Sequence, residues 1–325
     1  MNLETTYLGI RLPHPLIVGS SPLTDDLDRV RELEDSGAAA LVLRSLYEEE
    51  ITGEQMSAFF YSENYGQSSA EAESYFPDPE LAYGPDEYLE HLRAVKEAVG
   101  IPVFASLNGV SLNGWTSCAR LLEQAGADAV ELNLYHSASD ADASAAQVES
   151  QMVQIVRDVK KEITVPVAAK LSSRFTSFAN FASQLDAAGV DGLVLFTRFH
   201  KVDIDVLELE ILRSVDLSNS AELELRLKGT AVLAGRVRAS LAVTGGVHSA
   251  LDVIKATMAG AHATQLVSAL MANGPGHLRT LQRDLKAWLA ENEWESLNEM
   301  RGNMSFQRIP DPSAYERATF MRMFR

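Results

Sequence analysis

The sequence predicts an α/β protein built as a single (β/α)8 TIM barrel, with long insertions after strands 2 and 6. Eight short apolar runs, rich in β-branched residues or leucine, recur along its 325 residues, and most are followed by an amphipathic helical pattern. A glycine stop also stands directly before several of the runs. Continuous apolar runs suit parallel strands covered on both faces, and strand-helix alternation suits an α/β fold. A doubly wound sheet is the rival, but it would place a glycine-rich turn after its first strand, and "VGSSPLT" lacks that pattern.

In order, the runs are "PLIVGSS" from 15, "AALVLRS" from 39, "PVFASLN" from 102, "AVELNLY" from 129, "VPVAAKLS" from 165, "GLVLFTR" from 192, "SLAVTGG" from 240 and "ATQLVSA" from 263. Between the first two, "TDDLDRVRELEDSGA" opens with a threonine and acids suited to capping and ends in a glycine. Before the third, "PDEYLEHLRAVKEAVG" opens with a proline and ends the same way. The endings "SGAAA", "AGADA", "AGVDG" and "AGAHA" repeat one device, a glycine that stops the helix just before the next strand.

Two segments break this rhythm. The 46–85 insertion after the second strand is polar, acidic and aromatic, and far longer than an ordinary connection. Its Phe59, Phe60, Tyr61, Tyr65, Tyr75 and Phe76 fit either a cover over the strand ends or a dimer contact. After the sixth strand, the alternation in "VDIDVLELEI" suits an added strand or hairpin outside the barrel. No linker suggests a second domain, so 1–325 reads as one unit with a C-terminal extension over about 291–325. Phe320, Met321, Met323 and Phe324, with Arg322 and Arg325, suggest a tail that packs on the barrel or on a neighbouring subunit.

Composition narrows the partners. With 45 acidic against 28 basic residues the net charge is -17, which would repel nucleic acid and anionic lipid, and no basic patch stands out. The opening "MNLETTYLGIRLPHPL" lacks a basic start followed by an apolar core, and no run approaches the length of a membrane span. A single cysteine, Cys118, allows neither an internal disulfide nor a cysteine-built metal site. Its helical context reads as a small core residue. A cytoplasmic protein without a metal, acting on a small molecule, is the expectation.

The strand ends carry the chemistry. In such barrels the site lies at the C-terminal ends of the strands, and the loops after strands seven and eight often hold a phosphate. Gly245 and Gly246 end the seventh strand without side chains, so their amides can approach phosphate oxygens, and Ser268 after the eighth can add a donor. The other ends are polar: Gly19, Ser20 and Ser21; Arg44 and Ser45; Ser106 and Asn108; Asn133, Tyr135 and His136; Lys170; Thr197 and Arg198. A buried lysine needs a partner. Lys170 therefore reads either as a functional cation or as one half of an ion pair with Glu131 on the adjacent strand.

In this order, "PLIVGSSPLT", "AALVLRS", "AVELNL", "PVAAKLS", "LAVTGGVHSALDVIKATMAGA" and "ATQLVSAL" resemble the FMN-binding barrel of dihydroorotate dehydrogenases, nearest the soluble class, over roughly residues 3 to 290. The resemblance implies an FMN cofactor. It would set Gly19 and Ser20 along the flavin ring, Ser45 near its polar edge, and Asn133 near flavin or substrate. Lys170 would face the N1/O2 side, where a cation stabilises the anionic reduced flavin. Gly245, Gly246, Val267 and Ser268 would hold the phosphate, and Arg44, Asn108 and Thr197 are further cofactor-binding candidates. Soluble relatives being dimeric, it also implies a homodimer.

The substrate side departs from the family pattern. The loop after the fourth strand reads "LNLYHSASD", which places His136 at the position of the family's cysteine or serine base, and Ala138 where an asparagine would bind the pyrimidine. Thr197 replaces a substrate asparagine and Arg44 replaces the lysine of strand two. His136 suits a base because imidazole titrates near neutrality, although a solvated loop histidine would look the same. The expected function is oxidation of dihydroorotate, or a related small cyclic substrate, by hydride transfer to flavin N5. The alternatives are a diverged flavin-binding barrel without that turnover, a flavin-dependent tRNA uridine reductase, and a flavin-free barrel isomerase.

Overall fold

A computed structural model describes residues 1–48, 85–109, 112–134, 141–198, 201–214 and 216–316. Strands β3 (Leu16–Val18), β4 (Ala40–Tyr47), β5 (Val103–Asn108), β6 (Ala129–Leu134), β7 (Val167–Leu171), β8 (Gly192–Leu195), β11 (Ser240–Thr244) and β12 (Ala263–Leu266) form a closed parallel barrel in the order β11-β12-β3-β4-β5-β6-β7-β8. The eight predicted runs are these eight strands. Two antiparallel hairpins lie outside it: β1 (Thr5–Tyr7) with β2 (Ile10–Leu12), and β9 (Lys201–Asp205) with β10 (Glu210–Ser214). The second is the alternating segment after β8. The first, at the N-terminus, carries no strand signal among the eight runs.

Strand alternation divides the core in two. Outward residues such as Val18, Leu41, Leu107, Leu132, Leu171, Leu195 and Val243 join one large cluster with the surrounding helices. The inward residues at the strand starts, including Ile17, Val42, Phe104, Ala168, Val194 and Ala242, form a separate cluster with Tyr7, Leu8 and Leu12 of the first hairpin. The hairpin thus plugs the N-terminal end of the barrel. Tyr7 is fully buried there, its ring 6.2 Å from that of Phe104, and burial holds its hydroxyl well above the usual phenol range. Each such apolar side chain taken from water stabilises by about 1.5–3 kcal/mol.

Helix ends follow local chemistry. Helix α1 (Leu27–Asp35) is capped by Asp26, which accepts from the Arg29 amide, so the cap is this acid and not the threonine that opens the segment. Helix α2 (Pro85–Ala98) starts on its proline, and α3 (Leu112–Gln124) carries Cys118 into the core. Helix α4 (Ala145–Glu162) begins with a Ser144–Gln147 capping box. Helices α5 (Phe178–Ala187) and α6 (Leu223–Leu233) lead to α7 (Ala250–Ala259), which begins with a Ser249–Asp252 box and ends at Gly260, φ +124°.

Two residues after three of the four glycine stops, a polar side chain ties neighbouring strands together. Asp128 accepts the Val103 amide at 2.6 Å and the Lys96 ammonium at 2.7 Å. Asp191 repeats this with Val167 and Lys160 at 2.7 and 2.6 Å. In "AGAHA" the same place is taken by His262, whose Nδ1 accepts the Leu241 amide at 3.1 Å. After β12, the chain runs through α8 (Ser268–Asn273), α9 (His277–Glu291) and α10 (Leu297–Met300). Arg301 then reaches back to the Ala261 carbonyl and to Thr5 Oγ1 of the plug. Among the described residues no helix is long and apolar enough to cross a membrane.

Candidate functional site

Above the apolar floor the barrel interior turns polar. The next inward positions along the strands are Ser106, Glu131, Lys170, Thr244 and Gln265, and beyond them lie Asn133 and Thr197. They lead into a cavity of about 390 Å³ at the C-terminal mouth of the barrel, within the range that holds small ligands and cofactors. A register shift between Val42 and Ser45 in β4 turns Ser45 inward. Its hydroxyl meets Ser106 Oγ at 2.7 Å and Ser20 Oγ at 3.4 Å, so three strands share one row of hydroxyls.

Lys170 has both features expected of it. It lines the cavity, and its Nζ lies 3.1 Å from Glu131 Oε1, with Lys170 12% and Glu131 2% exposed. The other Glu131 oxygen accepts from Gln265 Nε2. Gln265 Oε1, by contrast, is buried with no hydrogen-bond partner. Nearby, Thr197 Oγ1 donates to Asn133 Oδ1 at 2.9 Å, which fixes the Asn133 amide and leaves its NH2 group as the remaining donor.

Gly245 and Gly246 form a bare corner. Their φ values are +81° and +79°, a conformation that favours glycine. A Cβ on Gly246 would lie 2.5 Å from the Leu223 amide nitrogen, and one on Gly245 2.9 Å from Arg226 Nη2. Ser218 closes over this corner: its amide donates to Ser268 Oγ at 3.0 Å, while its hydroxyl accepts from the Gly246 amide at 3.3 Å and meets His248 Nε2 at 3.0 Å. Burial lowers the His248 pKa. The donor set here is amides and hydroxyls, with the Ser218 hydroxyl as the resident partner of the Gly246 amide, a cradle suited to a phosphate.

Of the residues expected in the site, Ser20, Arg44, Ser45, Asn133, Lys170, Thr197, Gly245, Gly246, Val267 and Ser268 line this one cavity. Val267 precedes α8 and Ser268 begins it, so the eighth strand ends one residue earlier, at Leu266. Arg44 carries an ion pair with Asp25 at 3.1 Å. Gly19 and Asn108 are not among the lining residues. Gly19 packs against its neighbours instead, where a Cβ would meet Val267 Cγ2 at 2.9 Å. Asn108 pairs in register with Tyr47, which does line the cavity. His136, Tyr135 and Ala138 lie outside the described residues, as do residues 49–84 of the insertion and 317–325 of the tail.

The structure adds residues that the sequence reading left out of the site: Tyr47, Phe196, Asp216, Ser218, Gln265 and Met271. Gln265 had a signal, since it lies two residues before Val267 and so on the same strand face. Ser218 had none, because it arrives from the insertion after β8. Arg198 is fixed by a two-point ion pair with Glu222, at 3.1 and 3.0 Å.

Comparison with known proteins places these features in a family. A family model described as "Dihydroorotate dehydrogenase" matches residues 81–289. The chain is 29% identical over 314 residues to the catalytic subunit of dihydroorotate dehydrogenase B (NAD(+)) of Thermoplasma volcanium, covering 93% of this chain and 98% of that one. It is 28% identical over 307 residues to a putative dihydroorotate dehydrogenase A (fumarate) of Aeropyrum pernix, covering 92% and 96%. At 23% identity over 328 residues it also matches the NAD-dependent dihydropyrimidine dehydrogenase subunit PreA of Escherichia coli, covering 95% and 78%.

Proposed function

The chain belongs to the dihydroorotate dehydrogenase family of oxidoreductases, and from that premise we propose that it is an FMN-dependent dehydrogenase acting on a CH–CH bond of dihydroorotate or a related small cyclic substrate. The observation that carries this reading is that the Gly245–Gly246–Ser268 cradle and Lys170 open into one cavity at the barrel mouth. When bound, FMN supplies a two-electron acceptor for a hydride at its N5. Gly245, Gly246 and Ser268 would hold its phosphate through amides and a hydroxyl, with Ser218 folded over them. Lys170, steadied by Glu131, would place a positive charge beside the ring.

On the substrate side, Asn133 and the Ser20 and Ser45 hydroxyls offer uncharged donors and acceptors, and Phe196 and Met271 offer apolar contact. We assign the proton-accepting role to His136, from its position in the family pattern. The dihydropyrimidine named for the Escherichia coli relative widens the substrate class to rings without a carboxylate. We further propose a cytoplasmic homodimer. The β9–β10 hairpin supports the association, since Ile204, Leu207 and Leu209 are 63%, 87% and 84% exposed.

The test is the absorption spectrum of the purified protein, followed by anaerobic addition of dihydroorotate. Flavin bands that bleach would establish the dehydrogenase. Flavin bands that persist with every dihydropyrimidine tried would leave a flavin-binding barrel without this turnover. A colourless protein that cannot be reconstituted with FMN would overturn the reading of the cradle and of Lys170.

A further inference from the structure

A second cavity, of about 240 Å³, lies at the opposite end of the barrel, against the N-terminal ends of β11 and β12. Ala239 and Leu241 line it where β11 begins, and His262 stands one residue before β12. The chain returns to this end after α10 and adds Arg301, Ser305, Gln307 and Arg308 to the wall. The cofactor cradle follows the other ends of the same two strands, and the two cavities share no lining residue.

Arg301 stands apart from the other shielded cations. Its guanidinium donates to the Ala261 carbonyl at 3.2 Å and to Thr5 Oγ1 at 2.8 Å, both neutral acceptors. Lys170, Arg226, Arg198, Arg44, Lys96 and Lys160 are also held back from full exposure, and each lies within 4.0 Å of a carboxylate. Burial lowers the Arg301 pKa, with no acid acting against it. A shielded cation without a counter-charge is costly. Arg308 brings a second cation, donating from Nη1 to the Arg301 carbonyl at 3.4 Å. Among the described residues neither arginine pairs with an acid, and no acid lines the cavity.

Neutral donors surround the two charges. Ser305 is 3% exposed, yet its hydroxyl has no hydrogen-bond partner among the described residues. His262 Nδ1 accepts the Leu241 amide, which leaves its Nε2 as an N–H donor. The C-terminal ends of α6 and α7 abut the cavity through Ala234, Gly235 and Gly260. Each helix end carries only about half a negative charge, so about -1 from the pair leaves the two guanidiniums in excess. Two guanidinium forks with a hydroxyl, an amide and an imidazole N–H offer more donors than the two oxygens of a carboxylate use, and suit the several oxygens and double charge of a phosphate.

We propose that this cavity is a second oxyanion site, which takes phosphate or the phosphate group of a small ester, with Arg301 and Arg308 as charge partners and Ser305, Gln307 and His262 as neutral donors. It stands apart from the flavin reading, since none of these residues touches the cofactor cradle.

The FMN-saturated full chain, whose cradle is filled, is titrated in a calorimeter with inorganic phosphate and, separately, with ribose 5-phosphate. Phosphate is expected to bind with a Kd of about 1 mM or below, and more weakly as sodium chloride is raised. A lower Kd for the sugar phosphate identifies an ester as the ligand, and a higher one identifies the free ion. Arg308→Gln, at an exposed side chain, is expected to weaken binding about tenfold, and Ser305→Ala about threefold. Arg301→Gln should abolish binding; it also loses the contact with Thr5, so thermal unfolding checks its fold, and if it does not fold Arg308→Gln decides alone. No binding of either probe at about 20 mM, or equal binding by wild type and Arg308→Gln, overturns the proposal. A chain that takes up no FMN is titrated without it, and the Arg308→Gln difference still reports this cavity alone.

Discussion

Glu131 and Gln265 hydrogen-bond across the barrel from strands β6 and β12, which stand opposite each other in the eight-stranded order. Through its other oxygen Glu131 also holds Lys170. One buried carboxylate thus links three strands and sets the floor of the cavity.

Removing the centre of this network should therefore be severe. Glu131→Leu leaves Lys170 nearly buried without its counter-charge and is expected to lower stability by about 3–5 kcal/mol. Gln265→Leu removes one donor from Glu131 and is expected to lower it by about 1–3 kcal/mol. Urea unfolding measures both, and equal small losses would contradict the assigned hierarchy.

The bare corner predicts a loss of cofactor. In Gly246→Ala the new methyl group meets main-chain atoms of Leu223 and Glu222, which cannot swing aside. FMN affinity is expected to fall about tenfold or more, with about 1–3 kcal/mol of lost stability from the left-handed backbone. In Gly245→Ala the obstacle is the Arg226 guanidinium, so FMN loss should again follow. The flavin-to-protein absorbance ratio and a fluorescence titration with FMN read the two variants.

The Thr197–Asn133 contact predicts a kinetic effect. Thr197→Val keeps the shape and removes the hydroxyl that donates to Asn133 Oδ1. The freed amide loses its orientation, and kcat/KM is expected to drop by about tenfold, equivalent to about 1.4 kcal/mol. FMN content should stay near wild type; unchanged kcat/KM would place Asn133 outside substrate recognition.

Two buried histidines predict acid sensitivity. Burial lowers the pKa of His14 to about 4, and burial together with Arg301 does the same for His262. The unfolded chain binds these protons near pH 6.5 and the folded chain only near pH 4. Stability from the neutral rings is therefore complete above about pH 6.5, falls as pH drops through that window and levels off near 4. Each contributes on the order of 3 kcal/mol across it. His262→Gln should flatten the pH dependence of urea midpoints between pH 7 and 4; an unaltered slope would refute the assignment.

The two arginines at the cavity mouth show where sequence reasoning stopped. Arg44 was expected at the cofactor from its place on the second strand. Arg198 was visible as a polar strand end. That each is held by a carboxylate, Asp25 and Glu222, could not be read from spacing, because those acids arrive from a turn and from the insertion after β8. The N-terminal plug escaped notice for a related reason. Its strands have three residues each, too short for a period to register.

The sequence by itself determined the eight strands, the helix stops and the bare Gly245–Gly246 corner, since these depend on apolar period and turn chemistry that act within a few residues. Only the tertiary structure decided that Glu131 meets Gln265, 134 residues away, that Ser218 closes over Gly246, and that Lys170 is both at the cavity and in an ion pair. The physical reason is barrel closure. Closing the sheet brings the inward side chains of distant strands to within hydrogen-bond reach, and no local pattern in the chain encodes which of them will meet.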